Sequence, residues 1–199
     1  MIEFETICAL ATPSGEGAIG VIRLSGEKAI EIADEIFYNP KGKHILIDAK
    51  SHTAHFGNII NKGKLIDECI CTIFRSPHSY TGENSVEFSV HGSKYILQQT
   101  ILALIENGAV PATQGEFTKR AFLNGKLDLS QAEAVADLIQ SHNNAAHELA
   151  IKQLRGGYHD TLTELRSKLI DISSLLELEL DLSEEDVELL KQDGKYEKS

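Results

Sequence analysis

The sequence predicts an α+β fold: an N-terminal domain on a mixed β-sheet, followed by an all-α helical segment. Three observations predict it. The first half mixes short β-like runs with stretches of helical spacing, the second half holds helical spacing alone, and the charge balance shifts near the same place. We expect one domain over residues 1–120 and a partial helical domain over 121–199.

The β-like runs come first. Thr6–Thr12 and Ile19–Leu24 are short and rich in β-branched residues, and Glu27–Phe37 (EKAIEIADEIF) has helical spacing. His52–Ile60 and Leu65–Phe74 flank the turn-like Asn61–Lys64 (NKGK), which predicts a hairpin. Ser85–His91 alternates, with Val86, Phe88 and Val90 facing one way and Glu87 and Ser89 the other. A helical stretch, Lys94–Glu106, is ended by Asn107-Gly108. This order argues for a mostly antiparallel or mixed sheet.

In the second half, Ser130-Gln-Ala-Glu133 reads as a capping box, and Val135, Leu138, Ile139, His142, Ala146 and Leu149 are expected on one face beyond it. Gly156-Gly157 predicts a break. After it Tyr158, Leu162, Leu165, Leu169, Ile172 and Leu176 step by four and three, a seam for another helix. Ser183-Glu-Glu-Asp186 reads as a further helix start, and the acidic run Glu177–Glu188 as a solvated face. With the chain ending soon after that start, an incomplete helical bundle is expected.

Composition bounds the function. The 199 residues suffice for one large or two small domains, and 42% hydrophobic with 25% charged residues is ordinary for a globular protein. No run approaches the roughly 18–20 apolar residues that span a membrane. The N-terminus MIEFETICAL carries acids where a signal peptide is basic, and three cysteines make no disulfide framework, so a reducing cytoplasmic setting is expected. Residues 1–130 hold 12 Lys/Arg against 15 Asp/Glu; residues 131–199 hold 7 against 15. The second half repels nucleic acid except through a local patch.

Gly15, Gly17 and Gly20 stand at G-x-G-x-x-G spacing. That motif binds a dinucleotide only where a helix leaves the glycines. Here VIRLSG follows, so a glycine turn between strands, with Arg23 projecting from the second, is the better account. Cys69 and Cys71 share one side of a strand and read as buried thiols, since a metal site needs more ligands at workable spacing. His91 ends the strand of Glu87, where it either lines a pocket or serves structure. On position alone, Glu87 is a solvated strand carboxylate, Arg23 an ion-pairing residue and Lys126 a turn residue.

Three longer stretches carry more information: TICALATPSGEGAIGVIRLSG at 6–26, SYTGENSVEFSVHGS at 79–93 and GEFTKRAFLNGKLDLSQAEAVADLI at 115–139. Through them the chain resembles, from about residue 5 to about 190, the MnmE (TrmE) family of tRNA-modification GTPases. The resemblance implies an N-terminal folate-binding domain related to that of aminomethyltransferases, then a helical domain with a GTPase domain inserted into it. It implies a homodimer formed by the N-terminal domain, 5-formyltetrahydrofolate as ligand, and a flavoprotein partner, MnmG (GidA). In the whole protein it implies GTP with magnesium and potassium, and the carboxymethylaminomethyl group built on the wobble uridine of certain tRNAs.

The chain departs from that pattern in one respect. No G-x-x-x-x-G-K-[ST] occurs: Gly125-Lys126 is followed by Leu127, and Arg120 stands where the first glycine belongs. GTP hydrolysis therefore falls outside these residues, and no catalytic residue is assigned. Arg23, Glu87 and Lys126 match the family's folate-contact positions. A carboxylate such as Glu87 takes two hydrogen bonds from a pterin edge, while Arg23 and Lys126 suit its carbonyl and formyl oxygens or the glutamate tail. Two rivals stand beside this reading. A free-standing aminomethyltransferase-type enzyme needs a general acid/base and a substrate domain, and the sequence displays neither. A dimerisation scaffold with a non-functional folate pocket needs only the fold.

Overall fold

Alternation along each strand decides which side chains meet the helices, and it places the core on one face of a single sheet. The computed structural model describes the backbone of residues 5–193, and the side chains within it except those of 158–160 and 179–193. Its elements are β1 (Ile7–Leu10), β2 (Ile19–Ser25), α1 (Ala29–Ile36), β3 (Phe37–Tyr38), β4 (Thr53–Asn61), β5 (Lys64–Phe74), β6 (Ser85–His91), α2 (Lys94–Glu106), β7 (Val110–Pro111), α3 (Glu116–Leu123), α4 (Leu129–Gln140), α5 (Asn144–Leu154) and α6 (Gly157–Asp193). The chain divides after Ala132 into two compact units. The first is α+β and the second all-α, as the sequence predicts.

In the first unit the strand order is β3-β4-β5-β6-β2-β1-β7. All neighbours run antiparallel except β1 and β7, which pair in parallel through Ile7↔Val110 and Cys8↔Pro111, so the sheet is mixed. Ile22 and Leu24 of β2, Val86, Phe88 and Val90 of β6, and Cys69, Cys71 and Ile73 of β5 form one cluster with Ile32, Ala33 and Ile36 of α1 and Leu97, Ala103 and Leu104 of α2. The alternate positions, Arg23, Glu87, Thr72 and Ser89, point to the opposite side, away from α1 and α2. On that side the cross-strand neighbours Phe56 and Ile70 are exposed.

The glycine-rich stretch has a structural reason. Gly20 lies against α2, where an added Cβ would sit 2.5 Å from Leu97 Cδ2, and the Gly17 N–H donates to the Gly92 carbonyl at 3.2 Å. Close packing of strand on helix explains Gly20 without a phosphate. Burial of Cys69 and Cys71 also follows expectation. Burial pushes the Cys8 thiol up to about 11 and, with Asp67 adding to it, Cys69 up to about 12; burial also holds Cys71 well above the ordinary thiol range. All three are protonated, unreactive core residues near neutral pH.

Several expectations are corrected. The expected helix over 27–37 stops at Ile36, because Phe37 turns out to pair with Ile59 and buries its ring 6.3 Å from that of Phe88. The capping box at the start of α4 is Asp128–Gln131, two residues before Ser130–Glu133. The Gln131 N–H donates to Asp128 Oδ1 at 2.8 Å and the Asp128 N–H to Gln131 Oε1 at 2.9 Å. The face expected over Val135–Leu149 is not one helix. α4 ends at Gln140, His142 lies in the break, and Asn143 caps α5 by accepting from the Ala146 N–H at 2.9 Å.

The break at Gly156 stands, but α6 then runs unbroken to Asp193, through the helix start expected at Ser183–Asp186. No glycine or proline interrupts it after Gly157. Of the expected seam, Leu162, Leu165, Leu169, Ile172 and Leu176 are 54–59% exposed, and Tyr158 lies outside the described side chains. The acidic run from 179 to 188 also lies outside them.

Candidate functional site

The site is built where β2 meets β6, on the face opposite α1 and α2. Their register places Arg23 directly opposite Glu87, and the Arg23 Nε–H donates to Glu87 Oε1 at 2.7 Å. Both side chains are about three-quarters buried, which strengthens this charge-assisted bond relative to one in open water. Arg23 engages one carboxylate oxygen through Nε, so Glu87 Oε2 remains as an acceptor and the two terminal guanidinium nitrogens remain as donors. One planar edge carrying both acceptors and donors matches this set.

Two aromatic rings flank the guanidinium. Its central carbon lies 5.4 Å from the Tyr80 ring centroid and 5.6 Å from that of Phe117, both within cation–π range. Tyr80 belongs to the segment 75–84 between β5 and β6, and Phe117 to α3. The Tyr80 hydroxyl meets Thr118 Oγ1 at 2.9 Å, which ties the two walls together.

A buried ionic network holds that segment in place. Arg120 of α3 is 4% exposed and donates to both oxygens of Glu83 at 3.3 Å and to Glu116 Oε1 at 2.9 Å. Ser25 Oγ donates to Glu83 Oε2 at 2.6 Å, which leaves the Thr81 hydroxyl to donate to Ser25, also at 2.6 Å. Asn124 Nδ2 adds a bond to the Thr81 carbonyl at 2.7 Å. Burial works to raise Glu116. The Thr113 backbone N–H, hydrogen bonds from the Arg120 and Thr113 side chains and the Arg120 charge outweigh it, and hold the carboxyl below the usual glutamate value.

Of the three residues expected from sequence, the fold pairs Arg23 with Glu87, whereas Lys126 does not join that pair. Lys126 Nζ donates to the Pro77 carbonyl at 3.2 Å, and its stem crosses Gly82, where an added Cβ would lie 3.2 Å from Lys126 Cγ. Gly82 has φ +80°, a second reason for glycine there. His91 serves a different contact: its N–H and Nδ1 meet Asp67 Oδ2 and Oδ1, both at 2.8 Å. Sequence reasoning passed over Tyr80, Phe117 and Arg120. They lie inside the quoted stretches at 79–93 and 115–139, but a buried arginine on a weakly apolar helix leaves no periodic signal.

A mixed sheet with α1 and α2 packed on one face and an Arg–Glu pair beside two aromatic rings on the other, followed by a helical unit, defines an α+β domain joined to an all-α one. Comparison with known proteins agrees with that class. Residues 6–126 match the family model described as "GTP-binding protein TrmE N-terminus", and residues 129–199 match "MnmE helical domain". The chain belongs to the MnmE (TrmE) family. It is 56% identical over 188 residues to the tRNA modification GTPase MnmE of Flavobacterium psychrophilum, covering 94% of this chain and 40% of that protein. Against the same-named protein of Bacteroides thetaiotaomicron it is 57% identical over 184 residues, covering 92% and 39%. With that of Cytophaga hutchinsonii the figure is 51% over 184 residues. The chain thus spans about two fifths of the length of these relatives. Among the described residues no helix is long and apolar enough to cross a membrane, and no three His, Cys, Asp or Glu are grouped to hold a metal.

Proposed function

We propose that the first unit binds a reduced folate, 5-formyltetrahydrofolate, at the Arg23–Glu87 pair. The observation that carries this reading is that the partly exposed pair lies within cation–π range of two aromatic rings, with Glu87 Oε2 and the terminal nitrogens of Arg23 still available. Glu87 accepts from the N–H and amino group of the pterin edge, and Arg23 donates to the neighbouring ring carbonyl or to the formyl oxygen. Lys126 sits at the end of α3 beside the segment that carries Tyr80. Its exposed ammonium answers the acidic glutamate tail.

In this reading the chain binds and positions, and does not turn anything over. Two copies associate through the first unit. Within a full-length protein of the family, GTP hydrolysis with magnesium and potassium belongs to a domain whose phosphate loop this sequence lacks. There the folate unit supplies the one-carbon fragment for modification of a wobble uridine, together with the flavoprotein partner, in the cytoplasm.

One observation favours a second reading. Arg23 and Glu87 hold each other through a 2.7 Å bond, as they would in a dimerisation scaffold whose pocket stays closed. Calorimetric titration with 5-formyltetrahydrofolate separates the two. Saturable binding that Glu87→Ala abolishes is expected, and a folded, dimeric wild type that binds nothing leaves the scaffold. Sedimentation of the chain at micromolar concentration is expected to give a dimer; a strict monomer overturns that part.

A further inference from the structure

Two aromatic residues of the site, Tyr80 and Phe117, lie against Arg23. A guanidinium has weakly hydrated faces and donor-bearing edges, and an unconstrained arginine samples many rotamers. Arg23 has three close neighbours. Its Nε is held by Glu87 at 2.7 Å, and the rings of Tyr80 and Phe117 lie 5.4 and 5.6 Å from its central carbon. The rings are themselves tied, because the Tyr80 hydroxyl bonds Thr118, the neighbour of Phe117 on α3. Arg120 ties the same helix to Glu83, three residues after Tyr80. What remains free is one edge of the guanidinium, bearing its two terminal nitrogens.

We propose that Tyr80 and Phe117 are positioning residues that fix the plane of Arg23, and so restrict the site to flat ligands whose edge presents a carbonyl acceptor beside N–H donors. The inference rests on the folate reading and names how that site chooses its ligand. A reduced pterin has this edge: a ring carbonyl for the Arg23 nitrogens, next to an N–H and an amino group for Glu87 Oε2. A flexible cation answers any nearby oxygen. A guanidinium held in one plane by aromatic walls answers an acceptor in that plane alone.

The test is calorimetric titration of the whole chain with 5-formyltetrahydrofolate. Tyr80→Leu and Phe117→Leu keep apolar volume and remove the π face. Each is expected to weaken binding about fivefold, the size of one partly desolvated cation–π contact. Tyr80→Phe retains the face and is expected to restore most of that loss. Combined with Arg23→Ala, Tyr80→Leu is expected to add less than about twofold, because a residue acting through Arg23 has nothing left to position. A purely structural role gives no such dependence on Arg23. Should one leucine variant fail to fold by circular dichroism, the other carries the test.

Wild-type binding that Glu87→Ala abolishes, but that both leucine variants leave within twofold, overturns the inference and leaves the folate reading intact. Losses that simply add to that of Arg23→Ala overturn it as well. A folded wild type that does not bind overturns both.

Discussion

The two units of the chain treat their apolar side chains in opposite ways. In the first, Ile22, Leu24, Phe88 and Leu104 are wholly buried between the sheet and two helices. In the second, the buried apolar residues among those described are Ala134 and Ala150, while the described leucines and isoleucines of α6 are about half exposed or more. Burial of apolar area is the dominant favourable term in folding, so stability and the ordered site reside in the sheet unit. The long helix presents a heptad-like apolar stripe that is exposed among the described residues.

Substitutions break or sharpen this contrast in order of size. Phe88→Ala, at a wholly buried ring beside Phe37, is expected to cost about 4 kcal/mol by urea denaturation, because it leaves a large cavity in the sheet core. Arg120→Ala strands Glu83 and Glu116 in a largely buried network and is expected to cost about 3 kcal/mol by the same measurement. It is also expected to weaken folate binding, since the Tyr80 segment loses its anchor.

A smaller effect is readable from pH. The Glu116 carboxyl is depressed in the fold, so its contribution is present above the ordinary glutamate value of about 4.3 and is lost as pH falls through the lower folded value. Glu116→Gln is expected to flatten the stability profile of the first unit in that acid window and to leave its slope near neutrality unchanged. At the bottom of the scale, Leu169→Ala on the exposed stripe of α6 is expected to change stability by less than about 0.5 kcal/mol. A loss comparable to that of Phe88→Ala would mean that the stripe is covered in solution.

The parts of the fold legible in the sequence are those where burial is one-sided. The alternation of Ser85–His91 and the bounds of Lys94–Glu106 agree with β6 and α2, because each has one face on the core. α3 escaped reading because the residues it buries are Arg120 and Ala121, which leave no apolar period. β3 and β7, at two residues each, are too short to alternate. The capping box was read two residues late because both Asp128-x-x-Gln131 and Ser130-x-x-Glu133 fit the pattern, and only the geometry of Asp128 decides between them.

For the site, the family resemblance pointed to Arg23 and Glu87, but their partnership is a matter of strand register. It joins residues 64 positions apart, and nothing local in the chain encodes it. Tyr80 and Phe117 reach Arg23 only once the segment 75–84 is fastened to α3 by Arg120 and Thr118, a tertiary event with no periodic trace.

Amide hydrogen exchange with and without 5-formyltetrahydrofolate reads both units in one experiment. The account predicts added protection in β2, in residues 75–91 and in α3, with α5 and the described part of α6 unchanged. Saturating ligand that leaves the first unit unprotected, or that protects only the helical unit, would contradict it.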